Sequence, residues 1–240
     1  GAALPGFNLG VSVQSDEVYY TTDGTDPRMA DGSINPNAIQ LGEVETEPII
    51  AKGAEWNYLD TGASLNRKPW TAIDYDDSNW KTGKAELGYG DGDEATAVDR
   101  GPDPSTKYHT TIYFRKTFQM GESSDNTLLI KLLRDDGAIV YLNGEELFRS
   151  NMRVGTIRSS SYSEKRNPGR DSRTFFSHFV ELPKFNNGIN VFAVEVHRGS
   201  RTDKDLSFNF EATVLDAAGV PLAIEKTSTI TVRAKSGDIW

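Results

Sequence analysis

The fold is decided by Thr127 to Ser150, TLLIKLLRDDGAIVYLNGEELFRS. Leu128 to Leu133 alternates apolar and polar residues only loosely, as a strand with both faces largely covered does. Arg134-Asp135-Asp136-Gly137 supplies turn chemistry, and Ala138 to Leu142 returns as a second strand. Asn143-Gly144 suits a two-residue type I′ hairpin, since both residues tolerate positive φ, and Glu145 to Phe148 pairs back across it. This is the pattern of the centre of a β-sandwich.

Outward from this stretch the same periodicity recurs. Tyr113 to Phe118 sets aromatics against Arg, Lys and Thr and predicts a strand with one buried face. Val191 to His197 reads as a buried strand, and Phe175 to Leu182 and Leu206 to Val214 as two more. Ile49 to Asp60 carries Trp56 and Tyr58 on one face of a strand. Asn151 to Arg173, crowded with Ser, Gly and basic residues, predicts a long loop. Phe7 to Val13 and Val18 to Thr22 are strand-like. The expected class is all-β, with no helix longer than a turn or two.

The chain has 240 residues, 37% of them hydrophobic, which is enough for a proper core in one large or two smaller domains. Its net charge of −9 argues against a nucleic-acid surface, because phosphate binding needs a basic footprint. The absence of cysteine removes disulfides, zinc–thiolate sites and thiol nucleophiles together. No apolar run has membrane-spanning length, and Gly1-Ala2-Ala3-Leu4-Pro5 lacks the regions of a signal peptide. The abrupt ends read as a piece of a longer protein.

Several motifs resemble known families. Val18 to Arg28, VYYTTDGTDPR, resembles the signature of the small immunoglobulin-like domain at the C-terminus of chitobiases and β-hexosaminidases, which recurs in large exported bacterial proteins. The strand and short aromatic ending that follow it in that family are matched by Thr227 to Ala234 and Ser236 to Trp240, far downstream. The resemblance implies an insertion: residues 1–46 plus 220–240 form a split Ig-like sandwich around a nested domain at 47–219, a layout that works where an insert's termini lie close together. Trp70 to Trp80, WTAIDYDDSNW, resembles the "W…FDDSxW" turn of galactose-binding-like jelly rolls, including the sugar-binding domains attached to glycoside hydrolases. There Asp76, Asp77 and Ser78 would cap a short helical turn over Trp70, Tyr75 and Trp80. RDDGAIVYLNG and NVFAVEVH…DLSFNFEATV resemble core strands of the same superfamily, so the likeness spans most of residues 49–214.

No catalytic constellation is visible. Asp76-Asp77 and Asp135-Asp136 are adjacent carboxylates in turns, which seldom aim at one substrate atom; the first reads as a capping turn and the second as structural by default, with a turn carboxylate that meets a ligand or ion as its alternative. His109, His178 and His197 have no metal-ligand spacing, and no GxSxG or GxxxxGK[ST] loop exists. Sugar rings stack on flat side chains while polar groups take the hydroxyls, and Tyr89, Tyr108 and Tyr162, read as loop residues, with His109 beside Tyr108, are the candidates. Arg149, Arg153, Arg158, Lys165, Arg166, Arg170 and Arg173 outnumber Glu164 and Asp171. Beside Arg198 and Arg201 they would make a positive rim for anionic glycans, against the alternative of a solvated loop. Asp91, Asp93 and Glu94 offer hard oxygens in a glycine-laced loop. Galactose-binding-like domains often hold a structural Ca²⁺, so these three are the candidate ligands, a solvated acidic loop being the other reading. No cofactor is required.

The expected function is a non-catalytic carbohydrate-binding module of a secreted or cell-surface bacterial protein. Its partners would be a polysaccharide or glycan and the neighbouring domains of its parent chain, with no nucleic acid and no membrane insertion, and it would be a monomer. The rival is a structural spacer or protein-interaction module.

Overall fold

A computed structural model describes residues 17–40, 47–102, 108–122, 127–165, 173–181, 183–215 and 230–235. The chain divides into two compact units, Gly1–Glu45 with Asp216–Trp240, and Thr46–Leu215. Phe7 to Val13, Thr227 to Thr229 and Ser236 to Trp240 lie outside the described residues.

In the first unit, strand β1 (Glu17–Thr21) pairs antiparallel with both β2 (Ile39–Gln40) and β14 (Thr231–Lys235), with Glu17 opposite Lys235 and Thr21 opposite Thr231. The TDGTD turn is held as its residue types dictate. Asp23 Oδ1 accepts from Thr25 N at 2.9 Å and Thr25 Oγ1 at 2.6 Å, and Gly24 takes φ 82°. Arg233 donates from Nε and Nη2 to the two oxygens of Asp26 at 3.0 and 2.6 Å, and these bonds hold the Asp26 pKa down at about 2.

The second unit is a sandwich of two sheets. Six strands run in the order β10 (Glu145–Ser150), β9 (Gly137–Leu142), β12 (Gly188–His197), β7 (Thr111–Met120), β3 (Glu55–Leu59), β4 (Lys81–Lys84). Five run β11 (Phe175–Glu181), β8 (Thr127–Asp135), β13 (Leu206–Leu215), β5 (Leu87–Tyr89), β6 (Thr96–Ala97). Between them, Phe114 stacks on Phe208 with ring centres 4.1 Å apart, and Trp56 meets Phe208 edge-on at 5.0 Å. Leu132, Phe192, Val194 and Phe210 complete this core without exposure, and such aromatic pairs contribute roughly 1 kcal/mol each beyond their area.

The central stretch forms its expected strands, but Arg134 to Gly137 is no hairpin turn. β8 and β9 belong to different sheets, so Asp135 to Gly137 is a corner that carries the chain from one layer to the other. The second turn is the expected type I′ hairpin, with Asn143 at φ 53° and Gly144 at φ 92°. Asn143 also accepts from Val191 N at 2.9 Å, tying the hairpin to β12.

Strand β7 departs from the one-face expectation, since Thr111 through Arg115 are all buried. The second face is covered by Leu65 and Trp70, which pack on Tyr113 and Ala193. Arg115, 2% exposed, holds this cover down. It pairs with Asp77 at 2.8 Å and donates to the carbonyls of Trp70, Ala72 and Tyr75. The WTAIDYDDSNW segment is a series of hydrogen-bonded turns without a helix: Tyr75 N and Trp80 N donate to the carbonyls of Ala72 and Asp77, Asp76 accepts from Ser78 N at 3.0 Å, and the Asp77 side chain serves Arg115.

Candidate functional site

Register gathers the chemistry at one end of the sandwich. In the six-stranded sheet His197 lies opposite both Thr111 and Gly137, and Leu59 opposite Tyr113. In the other, Asp135 pairs with Ser207 and Leu206 with Tyr89. The loops that follow β3, β5, β8, β10 and β12, and those that precede β7 and β13, thus leave from the same end.

Among these loops is a cleft of about 270 Å³ lined by Gly62, Tyr108, His109, Thr110, Ser159 and Ser160. Gly62 has φ 71°, and a Cβ there would fall 2.3 Å from His109 Nδ1, so the ring rests directly on the glycine backbone. Beneath the cleft Thr111 Oγ1 donates to Ser159 O at 2.9 Å, and Asn66 Oδ1 accepts from Ser159 N at 3.0 Å. Burial lowers the His109 pKa, with Asp99 opposing. A neutral imidazole carries one donor and one acceptor, the two functions of a sugar hydroxyl.

Behind the cleft, fully buried His197 contacts Thr111 Oγ1 at 2.9 Å and Ser161 O at 2.8 Å through Nδ1, and Glu195 at 3.1 Å through Nε2. Tyr141 donates to the same Glu195 at 2.7 Å. This is a buried polar network within a covered sheet face.

Beside the cleft lies an acidic cluster. Asp91, Asp135 and Asp205 bring carboxylate oxygens within 4.8 Å of one another, and Glu86, Asp91 and Asp93 form a second group sharing Asp91. Asp135 is 1% exposed, and neither oxygen has a hydrogen-bond donor among the described residues. Burial raises its pKa, and the charges of Asp136 and Asp205 raise it further. Burial also lifts Glu86 to about 7; a Ser207 hydrogen bond opposes this and Asp93 and Asp91 add to it.

The residues singled out in the sequence fall into distinct environments. Tyr108 and His109 are at the cleft. Tyr89 ends β5 and is 6% exposed, so its placement in a loop is corrected; its ring lies parallel to Tyr108 at 5.8 Å and presents no free face. Arg198, 1% exposed, is no rim residue, because its guanidinium serves the carbonyls of His109, Tyr108 and Asp203. Arg149 is bound to Glu146 and to the carbonyls of Arg153 and Gly155. Arg153 and Tyr162 are exposed, as are Arg158, Lys165 and Arg173, while Arg166 and Arg170 lie outside the described residues. Glu94 accepts from the amides of Asp91 and Gly92 at 2.9 and 3.0 Å and stands outside both acidic groups; Asp93 lies 3.9 Å from Arg173. Missed in the sequence were Gly62, Ser159 and Ser160 at the cleft and Glu86 and Asp205 in the cluster, none of which carries a local signal; Asp135, whose alternative reading was a ligand or ion, does stand in the cluster.

No family model and no curated protein matches the chain. Solved structures do. A beta-glycosidase from Bacteroides vulgatus is 18% identical over 69% of this chain and 20% of its own, with a TM-score of 0.41. A calcium binding mutant of Bacteroides uniformis beta-glucuronidase 2 is 13% identical over 71% and 18%, with a TM-score of 0.44. A beta-glucuronidase from glycoside hydrolase family 2 is 15% identical over 85% and 18%, with a TM-score of 0.37. The chain spans about a fifth of their length, and likeness at this level assigns it neither activity nor ligand.

Proposed function

We propose that this chain is a non-catalytic carbohydrate-binding module of an exported, multimodular bacterial protein, and that the cleft at His109 takes one sugar ring. The observation that carries this reading is the convergence of Tyr108, neutral His109 and Ser160 on a concave surface whose volume of about 270 Å³ is close to that of small-ligand pockets. Its support is geometric and chemical. Paired donor and acceptor functions at His109 and the hydroxyls of Thr110 and Ser160 match the alternating hydroxyls of a pyranose. Because the Tyr108 ring is engaged by Tyr89 and has Arg100 and Arg198 guanidinium carbons 5.8 and 5.1 Å from its centre, hydroxyl recognition dominates and stacking is secondary. The split Ig-like unit, residues 1–46 plus 220–240, positions the module within its parent chain.

Affinity electrophoresis through polysaccharide gels tests this. The wild-type chain is expected to be retarded by at least one polysaccharide, and both His109→Ala and Gly62→Ala to lose retardation, the second by pushing the imidazole out of place. Equal mobility in every gel, or retardation that both variants keep, would replace this reading with that of a spacer.

A further inference from the structure

We propose that Asp91, Asp135 and Asp205 together bind one calcium-class divalent cation that staples three neighbouring strands of the five-stranded sheet. This goes beyond the glycan reading and stands without it. Asp91 follows β5, Asp135 ends β8 and Asp205 precedes β13, strands adjacent in the order β8-β13-β5, so the ladder itself delivers the three carboxylates to one place. Calcium takes oxygens at roughly 2.4 Å, so two oxygens on one ion stand no more than about 4.8 Å apart; the three carboxylates meet that limit.

The independent pointer to a ligand is Asp135. Its carboxylate is buried to 1% exposure, faces the cluster, and has both oxygens without a hydrogen-bond donor among the described residues. A buried carboxylate without a donor is costly, and a cation is the partner that its neighbours, themselves acids, cannot supply. The backbone is also shaped to close the site. A Cβ at Gly90 would fall 2.8 Å from Asp205 Cβ and 2.9 Å from Lys204 O, so glycine lets the loops of Asp91 and Asp205 touch. Ser207 Oγ donates to Asp91 Oδ2 at 3.1 Å and orients it, as outer hydrogen bonds do for metal ligands. Three carboxylates leave room for carbonyl or water oxygens, and a set with two of its three members on loops suits calcium better than the strict octahedron of magnesium.

The competing arrangement is a proton shared within the cluster, which needs no ion. Calorimetric titration and thermal melting of the whole chain, in EDTA and then in millimolar CaCl2 or MgCl2, separate the two. The expected result is about one equivalent of Ca²⁺ bound, a melting temperature raised by about 5 °C or more in calcium, and a smaller response to magnesium. Asp135→Asn and Asp205→Asn should each abolish binding and the shift. In EDTA Asp135→Asn should melt no lower than wild type, because it removes a carboxyl group that burial and its acidic neighbours disfavour, which shows that the variant folds. Melting indifferent to calcium, an equal or larger response to magnesium, or calcium binding that survives Asp135→Asn but is lost in Asp93→Asn, would overturn the assignment.

Discussion

Two pairs of adjacent aspartates, Asp76-Asp77 and Asp135-Asp136, look alike as sequence and end in opposite surroundings. Asp76 is exposed and accepts from Ser78, which lowers its pKa, and Asp77 meets the guanidinium of Arg115. Asp135 and Asp136 are both 1% exposed and lie among further acids, so burial and like charge raise the Asp135 pKa. Where a basic partner is brought in, an aspartate pins a loop to a sheet. Where acids are brought in, it becomes a demand for a proton or a metal ion. The difference is one of tertiary company, since the dipeptide is the same.

Removing the company of the first pair should have the largest effect. Arg115→Ala leaves Asp77 and the carbonyls of Trp70, Ala72 and Tyr75 without their donor under the Trp70 cover. Loss of a buried ionic partner costs about 3–5 kcal/mol, so urea denaturation should show a midpoint displaced accordingly; a change near zero would mean that the cover is held by Trp70 packing alone. Next in size, the same substitution should act with opposite sign in the two pairs. In EDTA, Asp77→Asn is expected to destabilise by about 1–2 kcal/mol because Arg115 loses its counter-charge, whereas Asp135→Asn should stabilise by a similar amount. Equal signs would break the contrast.

The smallest expected effect concerns His178, a half-buried imidazole with no acid acting on it among the described residues. Burial lowers its pKa to about 4, and Arg134 adds to the shift. The unfolded chain takes up this proton near pH 6.5 and the folded chain only near 4, so its contribution is intact above about 6.5 and is lost as pH falls toward 4. Discounted for partial exposure, the loss is about 1–2 kcal/mol. His178→Gln should flatten that part of the stability–pH curve; an unchanged slope would assign the slope to other groups.

Residues whose role is local were legible. Asn143-Gly144 forms its hairpin because positive φ is a property of those two residues, and Asp23-Gly24-Thr25 closes its turn within four positions. The strand runs at Leu128, Ala138 and Val191 were legible because burial writes itself as apolar continuity. Arg115 was read as one polar position of a half-exposed strand because its partners come from a segment about forty residues earlier. Tyr89 and Arg198 were read as ligand groups because an aromatic or a guanidinium in a loop looks the same whether it meets solvent or a carbonyl. The acidic cluster was read as Asp91, Asp93 and Glu94, neighbours in sequence. Glu94 instead satisfies the amides of its own turn, and strand pairing brings Asp135 and Asp205 to Asp91 from far along the chain.

By itself the sequence determined the all-β class, the Asn143-Gly144 hairpin and the apolar faces, because periodicity, φ preference and hydrophobic burial act over a few residues. Only the tertiary structure decided that Arg134 to Gly137 is a corner between sheets, that Arg198 and Tyr89 are interior, and which acids stand together. Those outcomes depend on long-range register, and a register is set by the sum of many pairings that no single stretch contains.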